Sequence, residues 1–566
     1  MIAATTIGII VVLFVSAEVV VRFAVPKDSA TQSFRERSLE YLLPCVELVS
    51  RGGHQRIVGR RDSARFDHRL ERSEGNLRLA VVGESTGFFI GDALSFLTEE
   101  TDVEVLNCAM EGSGFEHLQR RTAEVLRYRP DVVVIVFGHN LSFRYPLDAS
   151  QINPFELARK SRFLDLLLST PQLGGDMSVA ESFDSRIEEY RAWLEDLARS
   201  DLAQKSRFIL LTLPANHWVP SGDAVGCDDD AGVLDAQFDW YRGERQSAID
   251  KLHVLASETR DSCVSFVLAT WLRRTGQLAE VPRFLAHMTE GAVWAWDRSN
   301  QALHDMVRTM ARYDRFSVFD LAYRVAARSP NGIPGWALMR DHCHVNNATI
   351  ATESLEILRL ACDQTGKRLP QPLRRIADYT GEPSISETLE GLILAQRGQG
   401  PQDARKWLSA IPHAVEHWVT RDAESKLREM HRFIDARFAE IEPDPIRGAL
   451  VLAGLAEGLW HSARQEDALA LNARARAVEL ADPWVQLAFF RLADDPGGSL
   501  AAAERALQID PNSAAATFLV DKLRRQARRA GRPFEPARAT VEREQQDRSA
   551  DRLGTHPDGN GARPNG

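Results

Sequence analysis

Short apolar runs alternate with amphipathic stretches between Leu77 and Glu356. Several runs are continuous in Val, Ile, Leu and Phe, as expected for strands buried on both faces of a parallel sheet. The predicted strands are 77–83, 103–107, 131–138, 207–213 and 316–321. Segments between them, such as 115–128 and 181–200, have helical periodicity. The alternation predicts an α/β fold with a doubly wound parallel sheet.

Helical-hairpin patterns interrupt and follow the predicted sheet. Residues 265–288, between the fourth and fifth predicted strands, carry small and apolar residues at the offsets of a tetratricopeptide repeat. After about Arg375 strand signals end, and similar patterns occupy 390–411, 455–483 and 503–525. Simple amphipathic helix pairs are the alternative, because the spacing between units departs from that of regular repeats. We favour degenerate repeats.

These patterns divide residues 27–566 into four predicted regions. A juxtamembrane linker covers 27–74, and the α/β domain covers 75–370 with a helical tetratricopeptide-like insertion at about 225–300. A C-terminal α-helical repeat domain covers 371–532. The tail 533–566 is rich in Pro, Gly, Asp and Arg, a composition typical of disorder.

The amino-terminal segment is strongly apolar. Ile2–Ala17 carries no charge, Glu18 interrupts the apolar run, and Arg22 and Pro26 close it. The run is just long enough to span a bilayer, so we predict a transmembrane anchor over 1–26. A cleaved signal peptide and a buried soluble helix are the alternatives. Neither a basic segment before the run nor a convincing small-residue cleavage site supports the signal peptide.

Composition and charge narrow the function classes only slightly. The chain has 566 residues, 44% apolar and 26% charged, and is too long for one ordinary core. Its net charge of −10 gives no basic footprint, so nucleic acid is not an expected partner. The six cysteines are widely scattered without a CxxC pair or zinc-ligand spacing. They therefore set neither a disulfide framework nor a redox compartment.

Polar residues suited to catalysis follow four of the predicted strands. Ser85 follows the first strand in a Gly-x-Ser-x-Gly pattern, Gly112 follows the second, and Asn140 follows the third. Asp341 and His344 follow the fifth strand after a loop. Ligands of open α/β sheets bind beyond the carboxyl ends of the strands, where these residues are predicted to meet. Together they supply a nucleophile, a base, an orienter for the base and oxyanion donors.

Each of these residues also has an ordinary structural interpretation. A Ser after a strand is commonly a helix N-cap, a Gly in a loop provides backbone freedom, and an Asn is commonly a turn residue. Asp341, with the nearby His342 and His344, could instead form a surface loop or a metal site. The combination in this order, more than any single residue, favours catalysis.

The four blocks together resemble the SGNH/GDSL hydrolase superfamily. The family is named for a Ser, a Gly, an Asn and a His in separate blocks, which Ser85, Gly112, Asn140 and His344 match in order. The resemblance implies that Ser85 attacks an acyl carbonyl, that His344 acts as base, and that Asp341 orients it. It also implies an oxyanion hole formed by the N–H of Ser85, the N–H of Gly112 and the side chain of Asn140.

The resemblance covers roughly residues 75–360 and implies a flavodoxin-like SGNH hydrolase fold. The tetratricopeptide-like repeats and the phrase at 329–344 resemble a bacterial subset of the family. The chain has Glu84 where the family name has Asp. His342 could compete with His344 for the role of base, but the spacing from Asp341 favours His344.

The sequence thus predicts a serine ester hydrolase, a GDSL-like lipase or acylhydrolase, working through an acyl-enzyme on Ser85 without metal or organic cofactor. The expected substrate is an acyl ester of a lipid or glycan, and the repeats are expected to offer a surface for a protein partner. The alternatives are a glycan O-acyltransferase on the same fold and a non-enzymatic membrane scaffold that uses its repeats.

The expected location is a bacterial cell membrane, crossed once by the N-terminal helix. Four basic residues follow the apolar run, namely Arg22, Lys27, Arg35 and Arg37. The positive-inside rule would therefore favour a cytoplasmic bulk. The family resemblance favours an extracytoplasmic bulk, and we adopt that expectation.

Overall fold

The computed structural model describes residues 44–59, 66–72, 75–141, 183–201, 203–219, 227, 230–259, 261–290, 301–379, 410–441 and 445–531. Three sequence predictions lie outside the described residues: the anchor over 1–26, the tail 533–566 and nearly all of the repeat at 390–411. Among the helices of the described ranges, none is long and apolar enough to cross a membrane.

A small antiparallel sheet precedes the α/β core, within the segment that sequence analysis assigned to a linker. Its strands are β1 (Val46–Arg51), β2 (His54–Gly59) and β3 (Asp67–Arg69), in the order β1-β2-β3. Gly52 and Gly53, both at positive φ, form the turn between β1 and β2. Only Val46 and Ile57 of these strands are buried, so the strands form no continuous apolar run that the sequence could show.

A five-stranded parallel sheet is the core of the α/β fold. Its strands are β4 (Leu77–Gly83), β5 (Val103–Asn107), β6 (Val132–Val136), β7 (Arg207–Thr212) and β8 (Phe316–Asp320). They lie in the order β5-β4-β6-β7-β8, and every neighbouring pair is parallel. All five strands predicted from the sequence are confirmed, with small differences at their ends.

Helices make up most of the remaining described structure. In chain order they are α1 (Ser85–Leu97), α2 (Phe115–Leu126), α3 (Phe183–Arg199), α4 (Ala231–Tyr241), α5 (Arg245–Thr259), α6 (Ser262–Arg274), α7 (Val281–Glu290), α8 (Gln301–Thr309), α9 (Leu321–Arg328), α10 (Asn347–Thr365), α11 (Ile376–Tyr379), α12 (Ile411–Ile441), α13 (Pro445–His461), α14 (Gln465–Ala475), α15 (Ala481–Arg491), α16 (Pro496–Ile509) and α17 (Ala514–Arg529). Two short 3₁₀ turns are Met310–Arg312 and Pro330–Gly332.

Helices cover both faces of the parallel sheet. Val81 of β4 packs in one core with residues of α1 and α10, whereas the next residue, Val82, packs in a second core with residues of α2, α3 and α8. Successive side chains of a strand point to opposite faces. Every residue of β4, β5 and β6 is buried, which explains why these strands are continuous apolar runs.

The chain divides into two compact units. The first comprises Met1–Trp218 and Val293–Ser384, and the second comprises Val219–Ala292 and Ile385–Gly566. The helices that sequence analysis described as an insertion in the α/β domain therefore join the C-terminal helices. Within the second unit, Phe238 of α4 shares a core with Leu487 of α15 and Leu519 of α17.

Two disulfides tie distant parts of the chain together. Cys45, directly before β1, is bonded to Cys108, directly after β5, and Cys227 is bonded to Cys263 in the second unit. This corrects the sequence analysis, which found no disulfide framework in the cysteine spacing. Which cysteines pair depends on which chain segments fold next to each other. Cysteine spacing does not reveal this for partners that are 63 residues apart.

Removing the Cys45–Cys108 disulfide with a Cys45→Ser/Cys108→Ser variant is expected to lower the free energy of unfolding of the first unit. The bond closes a loop over a sequence separation of 63 residues. The chain-entropy model assigns about 4 kcal/mol to a loop of that length. Urea denaturation measures the difference. It should disappear when both proteins are fully reduced, and equal stability under oxidising conditions would contradict the bond.

Candidate active site

The turn between β4 and α1 presents Ser85 at the carboxyl edge of the sheet. Gly83 has φ +130°, and a Cβ there would lie 1.8 Å from the carbonyl oxygen of Val136, so only glycine permits this approach of β4 to β6. Glu84 is the N-cap of α1, without a side-chain capping bond, and Ser85 is the first helical residue. The N-cap interpretation of Ser85 is therefore wrong.

Ser85, His344 and Asp341 form a continuous hydrogen-bonded chain. Nε2 of His344 lies 2.5 Å from Oγ of Ser85, and Nδ1 of His344 lies 2.7 Å from Oδ2 of Asp341. Three residues that sequence analysis selected from distant blocks thus meet in the order hydroxyl, imidazole, carboxylate. This is the arrangement by which a base can accept the proton of a serine hydroxyl.

Asp341 is held as an anion by the groups around it. Its Oδ1 accepts the backbone N–H groups of Cys343 at 2.9 Å and His344 at 2.7 Å, while its Oδ2 faces the imidazole. Burial acts to raise the pKa of Asp341, but the neighbouring His344, followed by His342 and Arg340, holds it well below its usual range. A carboxylate at this position favours the imidazole tautomer with its proton on Nδ1, which leaves Nε2 to accept.

A tight loop carries Asp341 and His344, and Asn216 supports it from the segment that follows β7. Met339 and Val345 form an antiparallel bridge across the loop. Asn216 is fully buried; its backbone N–H donates to the carbonyl of His342 at 2.9 Å, and its Nδ2 donates to the carbonyl of Asp341 at 3.1 Å. Sequence analysis missed Asn216. The available signal was an amide residue just beyond the fourth predicted strand, at the same edge of the sheet.

His342 lies beside the triad rather than within it. Its ring centroid is 6.3 Å from that of His344, and its Nδ1 is 3.9 Å from Oδ1 of Asp341. Asp341, His342 and Cys343 each place one potential metal-ligand atom within 4.8 Å of the others, so these residues could hold a metal ion. The Asp341 carboxylate already bonds His344, however, and the predicted absence of a metal stays a prediction.

The two predicted oxyanion residues lie on the loops that follow the strands flanking β4. Gly112 follows β5 and has φ +68°, and the nearby N–H of Met110 donates to the carbonyl of Gly83 at 3.0 Å. Asn140 follows β6, is buried, and donates its backbone N–H to Glu84 at 2.9 Å. Both residues therefore lie on loops attached to the turn that bears Ser85. Their role as oxyanion donors stays a prediction.

Glu84 is a buried carboxylate at the centre of these loops. It is fully shielded from solvent, and its two oxygens accept the backbone N–H groups of Gly138, His139 and Asn140 at 3.4, 3.1 and 2.9 Å. Burial raises the pKa of Glu84 to about 7, against the lowering effect of those three N–H groups and of the charge of His344. Sequence analysis treated Glu84 only as a departure from a family motif.

An aromatic side chain and a cation border the triad. The ring of Phe89 meets that of His344 edge to face, with centroids 5.5 Å apart. The guanidinium of Arg340 lies over Phe89 at 4.1 Å from the ring centroid, and its Nε is 3.7 Å from Oδ2 of Asp341. These contacts fix one side of the imidazole by packing.

Comparison with known proteins adds no family assignment. No protein-family model matches this sequence, and no curated protein matches it. Function is therefore inferred from the fold and from the geometry of the site.

Proposed function

We propose that this chain is a serine ester hydrolase of the SGNH type that acts through an acyl-enzyme on Ser85. The observation that carries the proposal is the continuous chain from Oγ of Ser85 to Nε2 of His344, at 2.5 Å, and on to Asp341, at 2.7 Å. A surface loop or a helix cap has no need for this arrangement, whereas nucleophilic catalysis requires it.

In the proposed reaction His344 first accepts a proton and then donates it. Nε2 accepts the proton of Ser85 as Oγ attacks the acyl carbonyl. The same nitrogen then donates this proton to the departing alcohol. Asp341 holds the imidazole in place and stabilises the imidazolium while it carries the proton. Water then attacks the acyl-enzyme by the same sequence of proton transfers, releasing the carboxylic acid and restoring Ser85.

Three groups are proposed to stabilise the negative oxygen that forms during attack. Ser85 is the first residue of the 13-residue helix α1, so its N–H has no partner within the helix and lies at the positive end of the helix dipole. The N–H of Gly112 and the side chain of Asn140 complete the proposed set. Donors placed in advance at such an oxygen commonly supply a large share of the rate acceleration.

The order of strands also supports assignment to the SGNH fold. Numbered along the chain within the parallel sheet alone, the order β5-β4-β6-β7-β8 reads 2-1-3-4-5, the flavodoxin-like order. The triad residues, Gly112 and Asn140 all follow strands of this sheet.

We further propose that the folded units lie outside the cytoplasm, next to a bacterial membrane that residues 1–26 would cross. Two disulfides, Cys45–Cys108 and Cys227–Cys263, support this location, because such bonds persist mainly in oxidising compartments. An acyl ester of a lipid or glycan remains the proposed substrate class.

A fluorophosphonate probe, which requires an activated serine, tests the proposal directly. We expect the full-length protein in detergent to be labelled at Ser85 and to release free acid from small acyl esters. A labelled protein that forms an acylated sugar from an ester donor and a glycan acceptor would instead identify the acyltransferase. A folded protein that is not labelled and cleaves no ester would contradict the proposal and favour a scaffold.

A further inference from the structure

One carboxylate connects the candidate nucleophile to the loop that bears Asn140. Glu84 directly precedes Ser85, and three successive backbone N–H groups of residues 138–140 converge on its side chain. The backbone N–H of Glu84 also donates to the carbonyl of Val136, the last residue of β6, at 3.0 Å. Glu84 is thus bonded to the end of β6 and to the loop that continues from it.

A buried carboxylate is energetically unfavourable unless hydrogen bonds compensate its loss of hydration. Glu84 has no solvent exposure, and the described structure shows its oxygens accepting from backbone N–H groups rather than from an Arg or Lys. Here the compensating hydrogen bonds come from three backbone N–H groups of one loop. This placement therefore indicates a function for the charge, and the three N–H groups show what the charge holds.

We propose that Glu84 is a positioning residue whose carboxylate fixes residues 138–140, so that the Asn140 side chain is held at the oxyanion position relative to Ser85. The inference rests on the proposed ester hydrolysis. Because Glu84 and Ser85 are adjacent in the chain, a single peptide unit sets the distance between the nucleophile and the loop that carries its oxyanion donor. A displacement of about 1 Å at such a site can reduce the rate about 10²-fold.

The ionised form of Glu84 is the form that suits this role. A carboxylate only accepts hydrogen bonds, whereas a protonated carboxyl turns an O–H donor toward N–H groups that are donors themselves. Burial raises the pKa of Glu84 to about 7. The hydrogen bonds between Glu84 and the loop 138–140 should therefore weaken as the pH falls through neutrality. The titratable groups around it are His344 of the triad loop, Tyr190 of α3 and the neighbouring His139.

Stability and activity should respond to this proton in opposite directions. Folding raises the pKa of Glu84 from 4.5 to about 7, so the folded state binds the proton more tightly than the unfolded chain. The contribution of Glu84 to stability is largest at low pH and decreases as the pH rises from 4.5 to about 7. The contribution of Glu84 to activity should increase over the same range.

A double-mutant cycle between Glu84 and Asn140 tests the proposal in the full-length protein. Glu84→Gln should lower kcat up to about 10²-fold with little change in KM, because it moves an oxyanion donor rather than a binding group. Asn140→Ala should lower kcat by about 10²–10³-fold. The double variant should be no slower than Asn140→Ala alone, because Glu84 acts through Asn140.

If the decrease in kcat of the double variant equals the product of the decreases in the two single variants, the proposal is overturned. Glu353→Gln is the matched control, since Glu353 is another buried carboxylate of the same unit, paired with Arg324 and Arg328 at 2.5 Å. Glu353→Gln should lower the thermal stability of the protein and leave kcat unchanged. If Glu84→Gln does not fold, Glu84→Met, which removes the charge at similar side-chain volume, takes its place in the cycle with the same expectation.

The pH dependence of kcat supplies a second readout. Wild-type kcat should decrease as the pH falls through about 7, and Glu84→Gln should lose that part of the decrease. An unchanged profile in Glu84→Gln would contradict the role of the charge. Wild-type turnover that does not depend on Ser85 would contradict the proposed function itself, whereas Ser85-dependent turnover without coupling contradicts only the role of Glu84.

Discussion

Ser85→Ala is expected to abolish fluorophosphonate labelling and to lower ester turnover by roughly 10⁴–10⁶-fold, as loss of a nucleophile does in other serine hydrolases. The physical reason is that Ala retains the turn after β4 but removes the oxygen that lies 2.5 Å from Nε2 of His344. Binding of a substrate analogue should be nearly unchanged. Probe labelling, steady-state kinetics and calorimetric titration measure these three effects.

The stability of Ser85→Ala separates a catalytic role from a structural one. Ser85 is the first residue of α1 rather than its N-cap, so its loss removes no capping bond. We expect the free energy of unfolding to change by no more than about 1 kcal/mol, the usual contribution of one hydrogen bond. A folded Ser85→Ala protein with near-normal turnover would refute the nucleophile assignment.

His344→Ala should reduce turnover nearly as much as Ser85→Ala, whereas His342→Ala should have a far smaller effect. Nε2 of His344 lies within hydrogen-bonding distance of Ser85, while the His342 ring is centred 6.3 Å from the His344 ring. The double variant Ser85→Ala/His344→Ala should be little slower than either single variant, because a nucleophile and its base act as a unit.

The two histidine variants are each other's control. Both remove an imidazole from the same loop, next to the same carboxylate of Asp341. An inactive His342→Ala with an active His344→Ala would move the base two residues upstream. Equal losses in both variants, accompanied by lower thermal stability, would indicate damage to the loop rather than loss of a base.

The strands of the parallel sheet could be predicted because burial on both faces makes each a continuous apolar run. Residues 77–83 show this most clearly, since every side chain of β4 is buried. The strands β1–β3 could not be predicted in this way, because they are largely exposed and form no continuous apolar run. The pairing of residues 219–292 with 385–566 was also hidden, because local pattern carries no information about long-range partners.

The meeting of Ser85, His344 and Asp341 could be predicted because the chemistry sought limits residue type and order more strictly than packing does. A Ser after the first strand and an Asp with a His after the fifth, together with Gly112 and Asn140 after the second and third, suggested one site. Asn216 and Glu84 were missed because they act on backbone groups, namely the carbonyls of Asp341 and His342 and the N–H groups of 138–140. Sequence letters do not reveal which side chain meets which main-chain atom.

The interleaving of the two units has a consequence for synthesis on the ribosome. Residues of α4–α7 leave the ribosome long before α15 and α17, whose Leu487 and Leu519 cover the Phe238 core. The first unit is also incomplete at that moment, because β8 and the loop with His344 follow those helices in the chain. Domains commonly fold one after another as they emerge. Here neither unit is complete before a segment of the other unit has emerged. The nascent chain must therefore keep apolar helix faces from aggregating until translation is nearly complete, a demand that a tandem arrangement of the same units would avoid.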